Sequence, residues 1–164
     1  MTTSTEIDPA ELRSAFGAFP TGVVALAGMT GDDPTVLVAS SFAVGVSLSP
    51  PLVMFAVQQS SSTWPLLKQA PALGVSVLGE HHAPVVRQLA AKDKANRLAG
   101  VATTVRSSGA VFLSGAPVSF ECALESSHIA GDHEIVVLRI IDLLNDPAQQ
   151  PIIWHKSSFM RLSA

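Results

Sequence analysis

The chain has 164 residues, and its composition already excludes several classes of protein. Ten basic and 13 acidic side chains give a formal net charge of −3, which excludes a nucleic-acid binder held by bulk positive charge. Hydrophobic residues make up 48% and charged residues 14%, which is typical of one folded domain over residues 1–164 and not of a disordered chain.

One helix and three strands are predicted in the first third of the chain. Asp8 is a candidate N-cap, Pro9 suits a first helical turn and Glu11 stands three residues after the cap, so a helix ending at Gly17 is expected. Short apolar runs bounded by Gly, Pro or Asp predict strands. The first three such runs are residues 23–27, 35–39 and 52–57.

Two further helices are predicted in the middle of the chain. Ser62 or Thr63 is expected to cap a helix that reaches Ala70. Pro84 is expected to open another helix that reaches Ala91. A strand at residues 72–78 lies between them, and short strands at residues 152–154 and 159–162 complete the chain.

A long hairpin is predicted near the C-terminus. Residues 119–127 alternate in polarity, with Cys122 on the apolar face and Glu121 on the polar face, which predicts a half-exposed strand. A Gly–Asp turn leads into residues 135–141, a run that is apolar on both sides and is expected to be buried on both faces. Because strands outnumber helices and no βαβ alternation runs through the chain, we predict a mainly β fold with a few helices, an antiparallel barrel.

Location, assembly and redox chemistry are limited by simpler features. Residues 34–67 are uncharged, but Ser and Pro interrupt them, so no membrane span is expected. Residues 1–8 lack the basic and apolar segments of a secretory signal, so a cytoplasmic location is expected. A mean hydropathy of +0.39 favours a homo-oligomer. The single Cys122 excludes an internal disulfide and a CxxC pair, so redox chemistry here requires a cofactor.

Candidate anion-binding residues lie in two segments. Five of the ten basic residues fall between Arg87 and Arg106, with Asp93 the one acid among them, which indicates either an anion site or a solvated basic surface. Residues 60–63 offer hydroxyls and backbone N–H groups at a predicted helix start, either for a phosphate or as a simple cap. Residues 40–41 follow a strand and either bond a polar ring edge or cap that strand. No phosphate-loop, dinucleotide-fold or nucleophile-elbow motif is present.

Histidines are the remaining candidates for chemistry. A metal site of His128, His133 and a carboxylate is disfavoured, because the spacing of known metal motifs is missing; no metal is predicted. His133 follows the Gly–Asp turn and either donates a hydrogen bond to a ligand or is an exposed turn residue. Residues 154–156 bring an indole, an imidazole and a cation together.

Six short motifs, in their order and spacing, give the chain a resemblance to a known family. They are FGAFPTGV at 16–23, ASSF at 39–42, VSLSPPLV at 46–53, STW at 62–64, GDH at 131–133 and PIIWH at 151–155. Over nearly its whole length the chain resembles the flavin reductase-like family, the FMN-binding split barrels that serve as reductase components of two-component flavin-dependent monooxygenases.

The resemblance implies a fold and an activity. The expected fold is an antiparallel, Greek-key-like split β-barrel that forms a homodimer. The expected reaction is the reduction of FMN or FAD by NADH or NADPH, with reduced flavin diffusing to a separate flavin-dependent monooxygenase. The alternative is a flavin- or haem-binding module without reductase turnover. Neither nucleic acid nor a membrane is an expected partner.

The resemblance also implies which residues form the site. Residues expected to line the flavin ring are Val38, Ala39, Ser40, Ser41, Ala56, Val57 and Gln58. Residues expected on the phosphate side are Ser62, Thr63 and Arg97. Residues expected to bind NAD(P)H are His133 and His155, which border the nicotinamide, with Trp154 and Lys156 nearby. His133 is expected to position the nicotinamide without acting as an acid or base.

Overall fold

The structure is a computed structural model that describes residues 6–163. Its helices are α1 (Pro9–Gly17), α2 (Trp64–Leu67) and α3 (Val86–Leu89), with 3-10 helices at Glu80–Val85 and Lys94–Asn96. Its strands are β1 (Val24–Thr30), β2 (Asp33–Ala39), β3 (Ala43–Leu48), β4 (Pro51–Gln58), β5 (Leu73–Val77), β6 (Thr103–Val105), β7 (Val111–Leu113), β8 (Val118–Ala130), β9 (His133–Asn145), β10 (Ile152–His155) and β11 (Ser158–Arg161). Part of the segment considered for a signal, residues 1–5, lies outside the described range.

Seven antiparallel strands form one sheet in the order β2-β1-β5-β8-β9-β4-β3. The sheet curls so that β2, at one edge, approaches β4, near the other edge. Two small sheets, β10-β11 and β6-β7, pack outside it. The prediction of a mainly β, antiparallel barrel with a few helices is confirmed.

Two hydrophobic layers hold the barrel together, and β1 contributes to both. Val24 and Leu26 point into the inner cluster with residues of β4, β5 and β9, whereas Ala25 and Ala27 point outward into a second cluster. That outer cluster is covered by α3, β7 and β10. Because successive strand side chains alternate in direction, an unbroken apolar run such as β1 is what two buried faces require.

One glycine permits the close packing of the outer layer. A Cβ on Gly74 of β5 would overlap the backbone carbonyl of Val111 and the ring of Phe112 in β7. The missing side chain therefore lets β7 lie directly on β5.

The predicted helices are present, but their ends differ from the prediction. Asp8 caps α1, since its Oδ1 accepts the N–H of Ala10 at 3.1 Å. Thr63 is the N-cap residue of α2, one of the two predicted, but its side chain accepts no capping bond; Ser61 Oγ accepts the N–H of Trp64 at 3.1 Å instead. The helix expected from Pro84 was wrong at its start, because Pro84 lies in a 3-10 helix and α3 begins at Val86.

Two predictions of side-chain exposure, made from the polarity pattern of the long hairpin, are wrong. Glu121, expected to face solvent, is buried. It lies on the face of β8 opposite Phe120 and Cys122, as predicted, but Arg106 covers that face. Ile141, expected to be buried, is 59% exposed. The prediction that Cys122 is a core residue is confirmed: burial and the nearby Glu121 raise the pKa of its thiol to about 12, so it stays protonated.

Three strands were not predicted. β3 carries Gly45 and a serine among its apolar residues and has an irregular register with β4, so it resembles a loop in sequence. β6 and β7 have three residues each, which is too short for a periodic pattern. In residues 6–163, no helix has the length and apolarity needed to cross a membrane.

Candidate functional site

A groove of about 690 Å³ lies where the end of β2 meets the end of β4. All ten residues predicted to contact the flavin line it, and so does His133 from the tip of the β8–β9 hairpin. The structure adds Leu37, Ser60, Ser61 and Lys92 to its walls. Its volume is in the range of small-molecule binding sites.

At the end of β4, the side chain of Ser41 takes the place of a hydrogen-bonded neighbouring strand. Ser41 Oγ donates to the carbonyl of Ala56 at 2.7 Å and accepts the N–H of the same residue at 3.1 Å. These two bonds join the chain after β2 to β4 and close the barrel at this end. Because the Ser41 hydroxyl donates its one proton to Ala56, hydrogen-bond donation to a ring edge falls to Ser40 and to backbone N–H groups.

The hydroxyl segment, residues 60–63 before α2, is held in place by Ser61 and Thr63. Ser61 Oγ accepts from the N–H groups of Thr63 and Trp64, which fixes the start of the helix. Thr63 is only 3% exposed, and its hydroxyl accepts from Arg97 at 2.9 Å. The exposed Ser60 and Ser62 therefore stand on a rigid base beside the groove.

Arg97 binds three segments that form one end of the groove. Its Nε donates to the carbonyl of Ala91 at 2.7 Å, and its Nη1 donates at 2.9 Å to both the carbonyl of Val36 in β2 and the hydroxyl of Thr63. Burial lowers the pKa of Arg97, yet a guanidinium stays charged at neutral pH. Within the described part of the chain, its Nη2 has no hydrogen-bond partner, so one donor edge remains for an anion.

Lys94 and Lys92 lie close together in the chain but differ in what they contact. Lys94 Nζ donates to the carbonyl of Ser62 at 2.9 Å, which anchors the hydroxyl segment. Lys92 lines the groove and forms no ion pair or hydrogen bond with the residues described here. Sequence reasoning placed Lys92 in the basic cluster but not in the site. Its proximity to the hydroxyl segment depends on chain folding that no local motif encodes.

Arg106 does not belong to the anion site, although the sequence groups it with the basic cluster. Its Nε bonds Glu121 at 3.1 Å and its Nη2 bonds Asp142 at 2.5 Å. Its guanidinium also lies over the ring of Phe112, 5.5 Å from the centroid. Arg106 is therefore paired with two carboxylates. Its ion pair with Glu121 compensates the cost of burying that side chain.

The other end of the groove is the hairpin tip. His133 Nδ1 lies 2.7 Å from Asp132 Oδ1, and the hydrogen bond from His133 lowers the pKa of Asp132. Gln59 holds the turn to the end of β4: its backbone N–H donates to Asp132 O at 3.0 Å and its side chain donates to Gly131 O at 2.7 Å. The tip is thus fixed in place, while both side chains of the pair reach solvent.

The structure does not bring residues 154–156 into the same groove. His155 Nε2 donates to the carbonyl of Ala18 at 3.1 Å, just after α1, and the backbone N–H of Lys156 donates to Gly17 O at 2.8 Å. Trp154 lines a separate cleft that shares a wall with the groove. In residues 6–163, no three side chains of the metal-binding types lie close enough together to hold an ion.

The match to a known family covers nearly the whole chain. Residues 16–163 match the family model described as flavin reductase like domain. The chain therefore belongs to the flavin reductase-like family, and the family predicted from the six motifs is confirmed.

Individual relatives agree with this assignment. The chain is 30% identical to a flavin reductase of Pseudomonas putida over 153 residues, covering 93% of this chain and 89% of the relative. It is 29% identical to the reductase subunit HsaB of a flavin-dependent monooxygenase of Rhodococcus jostii, covering 93% and 77%. Among solved structures, the NADH:FAD oxidoreductase SgcE6 of Streptomyces globisporus, in complex with NAD and FAD fragments, superposes with a TM-score of 0.87 at 32% identity, covering 95% of this chain and 93% of that one.

Proposed function

We propose that this protein is an NAD(P)H-dependent flavin reductase that binds FMN or FAD in the groove between β2 and β4. Relatives that reduce flavins confirm the activity predicted from the sequence. One observation carries the assignment of the site. The residues expected to contact the flavin, which come from four separate segments of the chain, all line a single groove.

The groove fits a flavin in shape and polarity. Val38 and Ala56 offer small, apolar side chains to a tricyclic ring, and Ser40 with neighbouring backbone groups meets its polar edge. At the other end, Ser62 and Lys92, with the free edge of Arg97, bind the phosphate. The net charge of −3 is no obstacle, because the positive charge is concentrated at this end.

His133 is proposed to position the nicotinamide. Asp132 accepts a hydrogen bond from Nδ1–H, which orients the ring and leaves Nε2 for the carboxamide of the nicotinamide. The flavin supplies the redox chemistry, since hydride passes from nicotinamide C4 to flavin N5 and the ring takes up the electron pair. The protein's own contribution is alignment of two rings, an effect worth up to about 7–11 kcal/mol of barrier in favourable cases.

Reduced flavin is proposed to diffuse to a flavin-dependent monooxygenase. The support is that several relatives are reductase components of monooxygenases. The location we propose is the cytoplasm, where NAD(P)H is available, and residues 1–164 are proposed to form a single domain.

A homodimer is part of the same proposal. It is supported by apolar side chains exposed along β3 and the hairpin, where Leu48 is 90% exposed and Val44 64% exposed. Sedimentation equilibrium is expected to give twice the mass of the 17.1 kDa chain. A mass of one chain at micromolar concentration would contradict this part of the proposal.

A spectrophotometric assay tests the function. Purified protein is mixed with FMN, FAD or riboflavin, and the oxidation of NADH and of NADPH is followed by loss of nicotinamide absorbance under anaerobic conditions, together with bleaching of the flavin. We expect turnover with at least one pair. A protein that binds flavin yet oxidises neither nicotinamide would instead be a flavin-binding module, and the proposed function would be wrong.

A further inference from the structure

A second cleft, of about 270 Å³, adjoins the groove. Val38 and Ser40 at the end of β2 line both cavities, so the two lie side by side. The remaining walls come from the outer layer of the fold and are Val23, Val86, Arg87, Ala90, Trp154 and Phe159. The cleft is too small for a whole dinucleotide and has the size of a nucleobase with part of its ribose.

Two aromatic rings form the apolar side of this cleft. Trp154 and Phe159 face each other across β10 and β11, with ring centroids 5.0 Å apart and planes inclined by 52°. Both rings are partly exposed rather than sealed in the core. Partly exposed aromatic faces in a concave site are suited to stacking on a planar heterocycle.

The opposite side carries an uncommitted cation. Arg87, on α3, is exposed and forms no hydrogen bond or ion pair with any residue between 6 and 163. A guanidinium presents a planar fork of N–H donors that matches a phosphate. An aromatic pair opposite an arginine favours a ligand with a flat base and a phosphate.

The segment after α3 separates the cleft from the phosphate end of the groove. Ala90 lines the cleft, and Lys92, two residues later, lines the groove. A pyrophosphate passing over this segment would meet Arg87 on one side and Lys92 on the other. One elongated ligand can therefore occupy both cavities.

We propose that the second cleft binds the adenylate part of a dinucleotide, with the adenine against Trp154 and Phe159 and a phosphate at Arg87. This inference rests on the proposed function, because that function brings two adenylate-bearing dinucleotides, FAD and NAD(P)H, to this face. Both present the same chemistry to the cleft. In this proposal Trp154 contacts the adenine, whereas the sequence analysis expected it near the nicotinamide.

Truncated ligands test the proposal. The variants are Arg87→Gln and Phe159→Leu, with Lys68→Gln as a control, since Lys68 is an exposed cation that lines neither cavity. Dissociation constants are measured for FAD and FMN, and KM values for NADH and reduced nicotinamide mononucleotide. Thermal melting checks that each variant is folded.

We expect each variant to weaken one dinucleotide at least about fivefold and to leave its truncated counterpart unchanged. Weaker binding of FAD with unchanged binding of FMN would show that the cleft holds the adenylate of the flavin. A higher KM for NADH with an unchanged KM for the mononucleotide would show that it holds the adenylate of the nicotinamide donor. Equal values for all four ligands, or equal losses for dinucleotides and truncated forms, would overturn the proposal while leaving the reductase activity intact. Wild-type protein inactive with every donor and flavin would instead refute the proposed function.

Discussion

The two ends of the groove are built in different ways. At the phosphate end, Arg97 and Thr63 spend most of their hydrogen-bonding capacity on the protein itself, and Thr63 is almost fully buried. At the hairpin tip, His133 and Asp132 bond each other and remain in contact with solvent. A preformed end lowers the cost of ordering groups on binding. An exposed end suits NAD(P)H, the electron donor, which must enter and leave in every turnover.

Replacing Arg97 should have the largest effect, because its guanidinium both joins three segments at the proposed phosphate end and keeps a free donor edge there. Arg97→Ala is expected to weaken flavin binding by about 1.5–3 kcal/mol, or about 10- to 150-fold in Kd. The measurement is a fluorescence titration with FMN. Arg97→Lys retains the charge but loses the planar fork, so it should recover only part of the affinity.

An unchanged FMN affinity in folded Arg97→Ala would mean that the anion is bound elsewhere. A loss that is equally large for riboflavin, which has no phosphate, would mean that Arg97 acts only by holding β2 and the hydroxyl segment in place.

At the hairpin tip, His133→Ala should raise the KM for the nicotinamide about three- to tenfold, the worth of one modest hydrogen bond. The Kd for flavin should stay the same, since the flavin relies on the opposite end. Steady-state kinetics with varied donor give the KM. His128→Ala is the matched control, because His128 lies on the same hairpin and does not line the groove.

A variant that loses flavin affinity while keeping the wild-type KM for the donor would reverse the assignment of the two ends.

Lys92→Gln should weaken FMN binding about two- to fivefold at low ionic strength, and less at high salt, because an exposed charge is screened. Riboflavin should bind equally well to the variant and the wild type. Titrations of both ligands at two salt concentrations provide the comparison. A salt-independent loss, or a loss shared by riboflavin, would argue against a phosphate contact.

The smallest effect is expected for Asp132→Asn, which keeps a hydrogen-bond acceptor for His133 but removes the charge. We expect less than about a twofold rise in donor KM. Because the pKa of Asp132 is lowered, its contribution is fully present above the usual aspartate pKa and is lost only as pH falls through the lowered value. The ratio of KM values between variant and wild type should therefore be the same at pH 7 and at pH 9. A rise of more than about fivefold would contradict the small role given to this charge, and a ratio that changes between the two pH values would mean that a group other than Asp132 carries the pH dependence.

Local sequence signals predicted much of this fold because the features concerned are themselves local. Turn residues and apolar runs marked most strands, and motifs with a family resemblance marked residues that line one groove. The cap of α2 could not be chosen, because residues 60–63 all carry hydroxyls at similar positions. The partner of Glu121 could not be found either, since Arg106 lies 15 residues away in the chain, just after β6, and meets Glu121 only through the fold.

The bonding of Arg97 shows the same limit within the site. Two of its acceptors are backbone carbonyls, of Val36 and Ala91, and a carbonyl leaves no mark in the residue types. A sequence can indicate a cation near an anion site, but the number of its donors already committed to the protein depends on the folded backbone.

The most direct test is a crystal structure of the protein grown with FAD. The account predicts the tricyclic ring between the end of β2, at Ser40, and the end of β4, at Gln58, with the pyrophosphate within hydrogen-bond distance of Lys92 or Arg97. A flavin ring bound outside this groove, or a phosphate away from both cations, would contradict it.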